Sequence, residues 1–75
     1  MTLDKLPDGE TGVISGVRGG GARRLRLLEL GFTPGTRVTA VRRAPLGDPI
    51  QLLLRGCALA LRGSDAARIE LEAGQ

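Results

Sequence analysis

Three arginines fall within four residues, Arg23, Arg24 and Arg26, with Leu25, Leu27, Leu28 and Leu30 interleaved or following. Guanidinium groups beside apolar side chains suit recognition of an acidic or phosphorylated partner, since Arg pairs with planar anions and is favoured at interfaces. A second candidate is the segment Pro45-Leu46-Gly47-Asp48-Pro49. Two prolines restrict it, so little order would be lost on binding, and Leu46 would form an apolar tip. The competing reading makes it a rigid turn whose Asp48 carboxylate accepts hydrogen bonds from nearby amides.

Other chemistries lack their residues. The chain has no histidine and one cysteine, Cys57. Imidazole acid–base catalysis, Ser-His or Cys-His nucleophiles, His metal sites, thiolate clusters and an internal disulfide are therefore excluded. We read no catalytic residue, metal site or cofactor, and the chain is not expected to be an enzyme. Ferrous iron favours imidazole or thiolate ligands. The scattered acids Asp4, Asp8, Glu70 and Glu72 read as solvated side chains, leaving at most a weak surface site for a transition metal ion. Gly19-Gly20-Gly21 precedes a helix but lacks the Gly-Lys-Ser/Thr ending of a phosphate-binding loop. It reads as a flexible connection.

The charge is uneven. Residues 18–43 carry seven arginines against Glu29, whereas the whole chain is only +3. This asymmetry suits an acidic partner, whether nucleic acid, a membrane surface or an acidic protein face, and a solvated Arg-rich surface is the competing reading. The alternative function is thus an Arg-rich barrel that binds nucleic-acid phosphates. Single-strand binders stack bases on aromatic rings, and Phe32 is the single aromatic residue, so no nucleic-acid partner is expected.

The elements that must position these residues are short. Seventy-five residues, 41% hydrophobic and 25% charged, fit one globular domain spanning 1–75. No apolar run reaches the roughly 18 residues of a membrane span, and the N-terminus lacks a signal-peptide core. The expected location is cytoplasmic. Thr11–Val17 reads as a strand with Val13 and Val17 on one face and Ile14 on the other. Residues 22–30 read as a helix in which Ala22, Leu25 and Leu28 share the core face, leaving Leu27 and Leu30 nearly opposite. Gly31 then caps the helix in a Schellman motif, which pairs Leu27 with Phe32. Packing of Leu27 and Leu30 beneath neighbouring segments competes with their exposure to a partner.

Thr33-Pro34-Gly35-Thr36 fits a type II turn. Strands follow at 37–43, 50–54 and 57–61, the last two joined through Arg55-Gly56, with Arg a poor residue for the first position of a primed turn. Ser64 is placed as the cap of a single helical turn through Ala67. Residues 68–72 alternate as a closing strand. Five short strands with one helix after the first favour a closed barrel, which removes unpaired edges.

The run Arg26-Leu27-Leu28-Glu29-Leu30-Gly31-Phe32-Thr33-Pro34-Gly35-Thr36 resembles the signature of the FeoA family of small ferrous-iron transport proteins. The similarity continues through Val41-Arg42-Arg43-Ala44-Pro45-Leu46-Gly47-Asp48-Pro49, Arg55-Gly56 and Leu59-Ala60-Leu61-Arg62, and covers Leu3 to Glu72. Cys57 stands where the family often has a larger hydrophobic residue. The resemblance implies a mainly β fold, a small SH3-like five-stranded β-barrel with one short α-helix inserted after the first strand. A related domain closes the iron-dependent repressors of the diphtheria-toxin-repressor type. It also implies a cytoplasmic accessory or regulatory role in bacterial iron uptake through binding the FeoB permease. The residues expected to bind that partner are Arg23, Arg24, Arg26, Leu27, Leu30, Leu46 and Asp48. A barrel of this size is also open to weak self-association.

Overall fold

The computed structural model describes residues 1–73. A short 3-10 turn, Leu3–Lys5, leads into β1 (Thr11–Val17). Helix α1 (Gly21–Leu30) follows, then β2 (Arg37–Arg43), β3 (Ile50–Leu54) and β4 (Cys57–Leu61). A single helical turn, α2 (Gly63–Ala66), precedes β5 (Ile69–Leu71). The strands form one antiparallel sheet in the order β4-β3-β2-β1-β5.

The fold is the mainly β, five-stranded architecture expected, although the ladder does not close between β4 and β5. That gap in the sequence of strands is spanned by α2, and the 3-10 turn packs against both α2 and β5. Leu3 and Leu6 from the N-terminal segment and Ala66 from α2 join the core, so apolar packing seals what hydrogen bonding leaves open. The N-terminus also pairs directly with β5: Leu71 N–H donates to the Met1 carbonyl at 2.8 Å, and Thr2 bridges Glu70.

Among the described residues, fifteen hydrophobic ones form the core and no charged or polar residue is buried. Phe32, Ile14, Leu52, Ile69 and Val38 are its largest fully enclosed side chains beside Leu3. The face assignment in β1 differs from the simple alternation. The pairing of β1 with β5 shifts register between Ile14 and Gly16. This bulge inserts Ser15 as an unpaired residue, so Ile14 and Val17 both point inward while Ser15 is exposed. A second shift between Ala40 and Arg42 leaves Val41 exposed in β2.

The turns obey local chemistry. Thr36 N–H donates to the Thr33 carbonyl at 3.1 Å with Gly35 at φ +88°, the type II geometry. Arg55 and Gly56 both adopt positive φ, 52° and 79°, closing the β3–β4 hairpin as a primed turn.

Candidate functional site: the groove between α1 and β4

Helix α1 owes its placement to its C-terminus. Gly31 takes φ +116°, and its N–H donates to the Leu28 carbonyl at 3.0 Å while Phe32 N–H reaches the Leu27 carbonyl at 3.1 Å. These are the two bonds of the Schellman motif. Leu27 and Phe32, the pair whose apolar contact accompanies this motif, are both buried in the core cluster. Leu27 is therefore the helix's core anchor, with Leu28 half-buried beside it.

This corrects the face assignment made from periodicity in part, since Leu28 does pack against the core. Leu25, placed on the core face, is 56% exposed, and Leu27, offered as a docking residue, is 3% exposed. The buried line of this short helix takes one residue from each periodic stripe, Leu27 fully and Leu28 in part, and the cap sets Leu27 beside Phe32. Leu30 remains 49% exposed.

A groove of about 470 Å³ runs between α1 and the β4–α2 corner. The helix contributes Arg23, Arg26, Leu27 and Leu30, spaced three and four apart and hence on one face. The opposite wall is Ala60, Leu61 and Arg62, with Asp65 of α2 at the end. Arg23 Nη2 lies 3.2 Å from Asp65 Oδ1, an exposed ion pair that ties the helix to α2. Arg26 and Arg62 have no ion-pair partner among the described residues. The groove thus combines an apolar floor with a surplus of guanidinium groups.

Four of the expected partner-binding residues, Arg23, Arg26, Leu27 and Leu30, come together here. Arg24 does not: its Nε donates to the Val17 carbonyl at 3.1 Å and braces the helix against β1. Leu46 and Asp48 also lie outside the groove lining. Leu46 is 97% exposed at the tip of its loop, where Gly47 N–H donates to the Ala44 carbonyl at 2.7 Å. Asp48 Oδ1 accepts the Gly63 N–H at 2.5 Å, capping α2 from another part of the chain. Ser64 does not cap this turn; Arg62 occupies the N-cap position and supplies no side-chain bond.

Sequence reasoning missed Ala60, Arg62 and Asp65. They meet the helix only because β4 returns beside it, and no local pattern marks that return. The single aromatic, Phe32, is fully enclosed and offers no stacking surface for a base. Among the described residues no three potential metal-ligating side chains converge, and no helix is long and apolar enough to cross a membrane.

The model of the FeoA domain matches residues 1–73. This chain belongs to the FeoA family. A curated relative, the Fe(2+) transport protein A/Fe(2+) transporter FeoB fusion protein of Porphyromonas gingivalis, is 43% identical over 72 residues. That alignment covers 96% of this chain and 8% of the relative.

Solved structures agree with this FeoA fold. The solution structure of the Chlorobium tepidum FeoA protein superposes with a TM-score of 0.86 at 35% identity, over 96% of this chain and 69% of that one. The zinc complex of Stenotrophomonas maltophilia FeoA gives 0.85 at 35% identity, over 97% and 91%. That protein is described as a prokaryotic SH3 domain protein and a candidate activating factor for bacterial ferrous iron transport. A manganese-dependent transcriptional repressor shares the fold at 20% identity, with a TM-score of 0.84 over 96% of this chain and 35% of the repressor. Membership of the family links the chain to ferrous iron transport.

Proposed function

We propose that this chain is a cytoplasmic accessory protein of bacterial ferrous-iron uptake that acts by binding a FeoB-type permease, without catalysing a reaction itself. The observation that carries this reading is the fused relative, in which a homologous segment is covalently joined to a FeoB transporter. Covalent linkage replaces diffusional encounter by a high effective concentration, which benefits two modules that work in contact.

The α1 face supports a docking role. Leu30 stands exposed in line with Arg23 and Arg26, and Leu27 anchors the helix in the core. Apolar side chains framed by Arg match the composition of protein interfaces. The rigid 44–49 loop, with Leu46 at its tip and Asp48 bonded at its base, is a second contact point within the same proposal.

The test is co-purification with membranes that contain the permease, with and without added nucleotide. Retention of the wild-type chain and release of a folded Leu30→Asp variant are expected. Equal retention of that variant would remove α1 from the interface, and no retention of the wild-type chain in any nucleotide state would refute the reading. Capture in one nucleotide state alone would make the role regulatory.

A further inference from the structure

We propose that the free edge of β4 accepts an acidic extended polypeptide segment as an added strand, with its carboxylates directed at Arg26 and Arg62. The argument begins with the two edges of the sheet, β4 and β5. Strand β5 is covered, because Met1 and Thr2 pair with Leu71 and Glu70. Strand β4 has no such cover among the described residues.

The register says which backbone groups are free. Leu54 and Cys57 close the two-residue hairpin, so they form a hydrogen-bonded pair, and such pairs alternate along an antiparallel ladder. Ala58 and Ala60 occupy the intervening positions, opposite Leu53 and Gln51. Their N–H and C=O groups point away from β3, and neither residue has another backbone partner among the described residues. Both are exposed. Natural edges are guarded by Lys, Pro or a bulge, and the Cys-Ala-Leu-Ala-Leu sequence of β4 contains none of these. Alanine side chains also leave the backbone open to close approach.

The groove beside this edge identifies the occupant. Ala60 and Arg62 form one wall, and Arg23 and Arg26 face them from α1. With Asp65 engaged by Arg23, the unpaired charge lining the groove is that of Arg26 and Arg62. An added strand with carboxylates on alternate residues would meet these guanidinium groups while its backbone pairs with Ala58 and Ala60. A second copy of this chain, pairing β4 to β4, would bring like-charged grooves together, which is unfavourable. The inference deepens the docking reading and rests on it. A peptide probe without permease keeps the failure of one distinguishable from the failure of the other.

The probe is a synthetic peptide of about eight residues alternating Glu and Val, a usual strand length. It is titrated into the isotopically labelled full chain and followed by amide NMR and hydrogen exchange. Binding should shift the Ala58 and Ala60 amides and slow their exchange on the order of tenfold or more, in proportion to occupancy. An analogue N-methylated at alternate backbone nitrogens should lose about tenfold in affinity, and so should the Arg26→Glu/Arg62→Glu double variant. The N-methyl analogue is decisive even where a variant fails to fold, because it alters the ligand alone. Equal binding of that analogue would overturn the proposal. So would unperturbed Ala58 and Ala60 amides at saturation, absence of binding at low salt, preferential binding of an oligothymidylate, or a β4-paired dimer in place of the peptide complex.

Discussion

Arg55 is the only non-glycine residue with positive φ among those described, and its side chain explains how the hairpin tolerates it. Its Nη2 reaches Thr33 Oγ1 at 3.3 Å and Thr36 Oγ1 at 3.2 Å, tying the β3–β4 turn to the turn before β2. These bonds are exposed, so together they contribute on the order of 0.5–1 kcal/mol. The left-handed backbone costs a non-glycine residue about 1–2 kcal/mol. Arg55→Ala should therefore lower stability by about 0.5–1 kcal/mol, roughly 2–8 °C in Tm for a domain of this size. Arg55→Gly should come out near neutral or better, since it relieves the backbone while losing the same bonds. Thermal melts by far-UV circular dichroism compare the two directly. Such a tie between distant turns is invisible in sequence, where Arg simply looks wrong for its position. Asp48 belongs to the same scale. The Asp was legible as a turn residue that accepts an amide, but its donor, Gly63, lies 15 residues away. Asp48→Ala should cost about 1 kcal/mol and Asp48→Asn clearly less, because an amide oxygen can still cap the turn. Chemical denaturation midpoints of the two variants decide it.

Elements were legible wherever a local rule fixes them. The bounds of β2, β3 and β4, the helix cap at Gly31 and the Thr33–Thr36 turn all follow from Gly, Pro and branched residues acting within a few positions. Faces were less legible. In β1 the bulge at Ser15 breaks the period of two, because the extra residue stands outside the pairing with β5. In α1 the leucines satisfy two stripes, and the core takes one residue from each, Leu27 fully and Leu28 in part. The groove was half legible for the same reason: its α1 wall is periodic, while Ala60 and Arg62 arrive through the sheet. The face assignment has a mutational signature. Leu27→Ala should cost about 2–4 kcal/mol as a core truncation, whereas Leu25→Ala should change stability by less than about 0.5 kcal/mol. Equal losses would mean that Leu25 also carries core packing. Gly31→Ala should add its own loss of about 1–2 kcal/mol. Its new Cβ would sit 3.3 Å from Leu54 Cδ2 at a backbone φ of +116°.

At the scale of the whole molecule the open ladder makes the N-terminal segment structural. Leu3 is fully enclosed and Leu6 nearly so, and the chain between Met1 and Thr2 covers the edge of β5. A domain of this size buries a modest share of its surface and commands a small net stability, about 5–15 kcal/mol for domains in general. One core leucine replaced by alanine costs about 2–5 kcal/mol. Leu3→Ala should therefore remove a large fraction of the total and lower the urea midpoint sharply. Leu46→Ala, at a fully solvated loop tip, should leave the midpoint unchanged. The m-value separates two architectures. If the N-terminus is part of the single cooperative unit, Leu3→Ala lowers the midpoint with m preserved. If it merely lies against a barrel that holds without it, the midpoint hardly moves, and amide exchange accelerates in Met1–Leu6 and along β5 alone. The burial of Leu3 within the same cluster as Ile69, Leu71 and Ala66 favours the first outcome.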